Sequence, residues 1–249
     1  MLDNCQLFRD LATLTWEFTR NAHLLKTPLN EETITEVLLY HLAKYATHTF
    51  KATAFTKAVE TINGADYEFL FIGQKILRIR IQAKRLFLRS NKYESMYKTV
   101  NQVNLLINGC KVKNQEAVPA YCFYNSNISM SVPPNEKLLG CSIADAYDVL
   151  KSIQPVDNSQ KTNYMLRSFP WHALVCPPET TVPKVSVDAA SIAYDALMDS
   201  PYFDKGTLRQ HLDNAHQDYK NSPKYVKDLY DNGQTDEAIP VNTFIMIRF

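Results

Sequence analysis

Apolar residues recur at helical spacing from Leu2 to Ala22, where Leu7, Leu11, Leu14, Trp16 and Phe18 mark the stripe of a first helix. After a break at "KTPLN", the segment "NEETITEVLLYHLAKYA" sets Ile34, Val37, Leu38, Leu42 and Tyr45 along one side of a second. Asn30 stands where a cap is needed, and Glu31 and Glu32 fall in the first turn, where carboxylates meet the positive end of the helix dipole. The period then changes. Tyr67 to Ile72 and Ile76 to Leu88 read as strands around a turn at Gly73, Tyr93 to Asn108 as an amphipathic helix, and "AVPAYCFYN" as a third strand. The order is helix, strand, strand, helix, strand. A helix between the second and third strands is a crossover, so the pattern predicts parallel pairing there within a mixed sheet.

Further on, "PWHALVCPP" reads as a buried strand, "SVDAASIAYDALMDS" and "GTLRQHLDNAHQDY" as helices, and the closing "VNTFIMIRF" as a strand buried on both faces. Proline breaks at Pro133-Pro134 and Pro177-Pro178 leave stretches too short for a second core. The expectation is one α/β domain over residues 1–249, with a core at about 30–125 and a C-terminal elaboration at about 126–249.

Composition narrows the function classes. With 45% hydrophobic and 21% charged residues and a net charge of +1, the chain has globular composition. It is not a protein whose whole surface adheres to polyanions, so contact with nucleic acid must come from local charge. No apolar run approaches the roughly 18 residues of a membrane span, and the start "MLDNCQLFRDLATLTW" lacks the pattern of a secretory signal. Cytoplasmic residence without a membrane partner is expected. Five cysteines, odd in number, widely spaced and without a C-x-x-C pair, point to reduced, partly buried thiols rather than a disulfide framework or a zinc site.

Parity on the strand pair exposes the chemistry. Leu77, Ile79, Ile81 and Ala83 share one face of the second strand, and Arg78, Arg80, Gln82 and Lys84 the other. If the turn is a three-residue loop centred on Gln74, Asp66 falls opposite Gln82 with Lys84 diagonal to it. A carboxylate, an amide oxygen and a backbone carbonyl suit a hard cation such as Mg²⁺, with Mn²⁺ as a substitute. Such an ion polarises a phosphodiester and activates water, and Lys84 is placed to orient that water or neutralise phosphate charge. No acidic residue interrupts the chain between Glu68 and Glu94, while Arg78, Arg80, Arg85 and four other cations lie there. A basic band beside the site suits a phosphate backbone; the plainer reading is an outward strand face of solvated charges.

"GAD" at Gly64 to Asp66 followed by "QAK" at Gln82 to Lys84 resembles the signature of the PD-(D/E)xK, or restriction-endonuclease-like, nucleases. The closer likeness is to the Q-x-K variant of Mrr-type restriction enzymes, in which "IQAKR" is typical. The resemblance spans about residues 30–125. It implies a restriction-endonuclease-like core, Asp66 and Gln82 as metal-site residues, Lys84 as the catalytic lysine, and a helix acid completing the site. That acid is Glu31 by helical phase or Glu32 by the "E-T-I-T" pattern, and Glu32 is taken. Ala65 replaces the motif's proline, and Gln82 removes a negative charge that Glu68 or the helix acid would have to supply. The implied activity is metal-dependent endonuclease action, on DNA ahead of RNA, in a prokaryotic restriction or phage-defence setting. A homodimer or a regulatory partner would then supply specificity. A catalytically inactive nucleic-acid-binding module of the same fold is the alternative.

Other residues add less. Gln102 is in range of the site but is read as a surface residue. His172 is read as structural, and Tyr124 and Asn125 lie where a strand end can touch substrate. His211 and His216 are five apart, the wrong spacing for a helical metal pair. Six glycines in all leave no glycine-rich phosphate loop.

Overall fold

The computed structural model describes residues 3–27, 29–93, 100–112, 116–127, 134–153, 167–177 and 188–218. Helix α1 (Asn4–Leu24) begins where an Asp3 carboxylate oxygen accepts from the Gln6 backbone N–H, and it buries Leu7, Phe8, Leu11, Ala12 and Trp16. Helix α2 (Glu31–Tyr45) starts at Asn30, although the Asn30 side chain makes no capping bond. Before the strand pair the chain inserts β1 (Phe50–Ala54) and α3 (Lys57–Asn63). The seven residues of α3 are too few to establish a helical period, whereas β1 does alternate over Phe50-Lys51-Ala52-Thr53-Ala54, a signal that the expected order of elements omits.

Strands β2 (Tyr67–Ile72) and β3 (Lys75–Phe87) pair antiparallel from Ile72↔Ile76 to Tyr67↔Ile81, the register of a three-residue loop. Strand β4 (Lys92–Tyr93) folds back on the end of β3. Helix α4 (Val100–Gly109) crosses over, and β5 (Val118–Tyr124) returns parallel to β3, as a helical crossover requires. After α5 (Pro134–Lys137) come β6 (Cys141–Asp145) and α6 (Ala146–Ile153). Strand β7 (Phe169–Pro170), α7 (Ala189–Asp199), α8 (Lys205–Ala215) and β8 (His216–Asp218) follow. The protein is α/β with a mixed sheet in the order β1-β2-β3-β5-β6-β7, and β4 and β8 add short pairs at the two ends of β3.

Alternation along β3 divides the core. Leu77, Ile79, Ile81 and Ala83 join a cluster with α1, α2 and α7 on one side of the sheet. A second cluster, including Leu86, Tyr121 and Phe123, packs against Val103 and Leu106 of α4 and Val149 of α6 on the other.

Three expectations are corrected. "PWHALVCPP" forms only the two-residue β7 and then a 3₁₀ turn at Trp171–Leu174, where the Trp171 indole N–H donates to the Phe8 carbonyl. The helix expected over Tyr93 to Asn108 is described only from Val100, and Tyr93 itself belongs to β4. Cys5 and Cys176 are not free thiols but form a disulfide, their Cα atoms 4.7 Å apart across a separation of 171 residues. Packing of α1 against the 3₁₀ turn brings them together, so linear spacing carried no hint. Cys110, Cys122 and Cys141 are free and buried. "VNTFIMIRF" lies outside the described residues. Among those described, no helix is long and apolar enough to cross a membrane.

Candidate functional site

Strand β3 is 13 residues long, but β2 covers its edge only as far as Ile81. Backbone N–H groups beyond that point need acceptors. Two carboxylates supply them: Asp66 Oδ2 accepts from Ala83 N at 2.7 Å, and Glu31 Oε2 accepts from Arg85 N at 2.8 Å. Asp66, one residue before β2, is fixed through its own backbone, with its N–H donating to Ile81 O and its carbonyl accepting from Phe55 N.

Each letter of "GAD" has a local reason. Gly64 ends α3 at φ 69°, a left-handed cap that glycine adopts without penalty. A Cβ there would lie 2.5 Å from Gln102 O and 2.6 Å from Leu106 N, so glycine also lets α3 close on α4. Ala65 is wholly buried, its N–H donating to Asn63 Oδ1 at 2.9 Å. Asp66 follows, half-buried beside the β3 edge just past Ile81.

Gln82 reaches Asp66 from β3, its Nε2 donating to Asp66 Oδ2 at 2.5 Å. Gln102 on α4 donates to Gln82 Oε1 at 2.6 Å and more loosely to Glu60 Oε1 at 3.4 Å. Lys57 pairs with Glu60 at 2.9 Å and with Glu32 at 2.7 Å, completing a polar chain that runs from α2 through α3 and α4 to the site. Lys84 lies 3.5 Å from Glu31 Oε1. Glu31, rather than the expected Glu32, is therefore the helix acid at the centre. Glu32 points outward, its side chain 66% exposed, and touches the site only through that chain. Gln102 is a member of the site and not the surface residue it was read as; its polar side chain on the sheet-facing side of an amphipathic helix was the available signal.

Two of the three expected nucleic-acid contacts are misplaced. Arg78 and Arg80 are 3% and 4% exposed and grip the buried Glu68. Arg78 does so through two bonds of 3.0 Å, while Arg80 donates to Glu68 at 2.8 Å and to the Gly109 carbonyl at 2.7 Å. The polar face of the strand pair is covered by α4 over this stretch, so these cations satisfy an interior carboxylate instead of meeting a ligand. Glu68 is equally committed and cannot replace the charge missing at Gln82. Arg85, by contrast, is only half-buried and lines the groove beyond Lys84, with its guanidinium 4.0 Å from the centre of the Phe87 ring.

Electrostatics separate the two carboxylates. Burial pushes Asp66 up to about 7, opposed by the Ala83 N–H, reinforced by Glu31 and Glu60, and moderated by Lys84. Burial also acts on Glu68, but Arg78 and Arg80 outweigh it and hold that carboxyl below its ordinary value.

A divalent ion would find few free oxygen donors here. Among the described residues no three His, Cys, Asp or Glu side chains gather to hold a metal. Asp66 Oδ2 is engaged by Gln82 and Ala83, leaving Oδ1 as the carboxylate oxygen without a hydrogen bond among the described residues. Gln82 turns its amide nitrogen toward Asp66 and its oxygen toward Gln102, so it could serve as a ligand only with the amide reversed. Mg²⁺ commonly keeps several waters and is held by one or two carboxylates together with substrate phosphate. The residues fit an ion completed in that way, and they do not form a closed cage.

Beyond Lys84 and Glu31 opens a groove of about 1330 Å³, bounded by the last turns of α1, the start of α2, β3 from Lys84 to Phe87 and the turn through Arg89. The remaining expected residues lie elsewhere. Tyr124 bonds Thr35 in the core, and Asn125 is tied to Tyr93, Leu139 and Ser142. His172, on the 3₁₀ turn, is buried and pushed down to about 4 by desolvation and Arg9, consistent with a structural residue. His211 bonds the Tyr147 hydroxyl at 2.6 Å.

Fold and site together define an α/β protein whose central strand runs past its neighbour and gathers a carboxylate, an amide and a lysine along the edge that β2 leaves unpaired. The chain matches the family described as "Family of unknown function (DUF6615)" over residues 4–248 and belongs to it. No curated protein matches the chain.

Proposed function

We propose that the protein is a metal-dependent phosphodiester hydrolase acting on nucleic acid, built on a restriction-endonuclease-like core. The observation that carries this reading is the convergence of Asp66, Gln82, Lys84 and Glu31 on the uncovered end of β3, beside a groove open to a chain-like substrate. A Mg²⁺ or Mn²⁺ ion bound at Asp66 would supply charge neutralisation and a more acidic water. Lys84 Nζ binds a non-bridging phosphate oxygen and offsets the charge that develops during attack. Glu31 Oε1 holds the lysine on that line, and its other oxygen pins the strand edge through Arg85 N. Gln102 fixes the Gln82 amide against Asp66. DNA is the first substrate to test, and a prokaryotic restriction or phage-defence role is the setting proposed. A disulfide between Cys5 and Cys176 weighs against a permanently reducing cytoplasm, where such bonds are rare.

The test is cleavage of supercoiled plasmid, single-stranded DNA and RNA in parallel, with Mg²⁺, Mn²⁺ or chelator. Cation-dependent cleavage that disappears in Lys84→Ala supports the proposal. One observation favours a second reading, a binding module without catalysis: Gln82 presents its NH₂ group to Asp66 and stands where a second carboxylate would strengthen cation binding. Retained DNA binding with no cleavage under any cation would establish that reading instead.

A further inference from the structure

The groove beyond Lys84 has an uneven charge distribution. His23 lines it from α1 and Lys26 from the turn that follows, and Lys84, Arg85 and Arg89 from β3 and its following turn. Its two acids stand at the catalytic end and are already engaged, Glu31 by Lys84 and Arg85 N and Glu32 by Lys57. Lys26 and Arg89 are exposed and have no side-chain partner among the described residues.

Lys26 is also held in an unfavourable backbone conformation. It follows α1 at φ 55°, in a turn where Lys26 N donates to His23 O and Thr27 N donates to Ala22 O. That is the left-handed position closing a helix, where glycine is favoured because a Cβ is disfavoured. The Lys26 side chain makes no hydrogen bond or ion pair among the described residues that offsets the strain. Strain of this kind in a residue lining an open site calls for a functional explanation. Phe87, under the Arg85 guanidinium, adds an aromatic surface to the same wall.

We infer that this groove binds a single nucleic-acid strand, with Lys26 and Arg89 on successive phosphates, a base against Phe87 and the strand leading toward Lys84. The inference rests on the phosphodiesterase reading for the direction of the strand, but not for its binding. Cations beside an aromatic ring suit one backbone with its bases unstacked, because a single strand can lay a base on the ring and a duplex cannot. The basic band foreseen on Arg78 and Arg80 is thereby moved to Lys26 and Arg89, with Arg85 common to both.

Fluorescence anisotropy of labelled dT12, U12 and a 12-base-pair duplex, in chelator so that nothing is cleaved, tests this alongside thermal melting. Wild type is expected to bind dT12 or U12 more tightly than duplex, and comparison of those two strands identifies the preferred sugar. Lys26→Gly should raise the Tm, because glycine relaxes the left-handed turn, and yet weaken strand binding about 3- to 10-fold. Each lost phosphate contact should shallow the salt dependence by roughly 0.7. Arg89→Ala should weaken binding similarly with the Tm unchanged. A Lys26→Gly protein that melts higher and binds as tightly as wild type overturns the inference, as does tighter binding of duplex than of either strand. If wild type cleaves while both variants bind and cleave normally, the groove is wrong and the hydrolase reading stands. If binding falls in both variants but no cation supports cleavage, the groove stands and the hydrolase reading fails.

Discussion

Two polar clusters lie two residues apart on the same strand pair and have opposite characters. Glu68 with Arg78 and Arg80 is closed: the carboxylate meets two guanidinium groups, α4 covers it, and its pKa is held down. Asp66 with Gln82 and Lys84 is open: its carboxylate faces an amide, lies beside two other acids and is pushed up to about 7. Both sit on the same alternating face and both set an acid of the β2 side against polar side chains of β3, two arginines in one case and an amide and a lysine in the other. What separates them is where β2 stops, because beyond Ile81 the β3 edge receives side-chain carboxylates instead of a strand. A satisfied cluster belongs to the fold. A cluster with surplus negative charge at an opening is the place to look for a bound cation and for chemistry.

The contrast can be broken most forcefully from the closed side. Glu68→Ala strands two buried guanidinium groups and should cost about 3–5 kcal/mol of stability, read by urea denaturation, with activity lost only through unfolding. Lys84→Ala should do the reverse, lowering plasmid cleavage at least about 10²-fold while moving the denaturation midpoint little.

Asp66→Asn sharpens the comparison through pH. The folded state keeps a proton on Asp66 up to about pH 7, whereas the ordinary carboxyl releases it near 3.8. Between those values the folded protein binds more protons than the unfolded chain, so this group's stabilisation is full below the window and lost as pH rises through 7. The variant, which cannot ionise, should therefore melt above wild type at pH 8, match it near pH 4, and be inactive. The smallest contrast lies within one helix turn. Glu31→Gln should impair cleavage by loosening Lys84, and Glu32→Gln, exposed and paired with Lys57 rather than Lys84, should leave it within about 2-fold under the general weakness of surface pairs.

Strand parity and a three-residue loop were enough to bring Asp66, Gln82 and Lys84 together, because side-chain alternation is local. The parallel β3–β5 pair followed from the crossover helix for a similar reason. Burial of Arg78 and Arg80 was not legible, since it depends on how α4 lies across the sheet. The choice between Glu31 and Glu32 depended on a strand edge left uncovered far away in sequence. The place of Gln102 in the site is not legible for the same cause, as its contact with Gln82 is set by the close α3–α4 approach that Gly64 permits. The Cys5–Cys176 bond joins segments whose proximity only the tertiary fold creates.

The most direct test of the central claim is anomalous scattering from crystals soaked in Mn²⁺. A peak about 2.0–2.3 Å from Asp66 Oδ1, absent in Asp66→Asn crystals, is the predicted result for an oxygen-ligated divalent ion. Full Mn²⁺ exposure with no peak there, and the Gln82 amide still closed on Asp66, would contradict it.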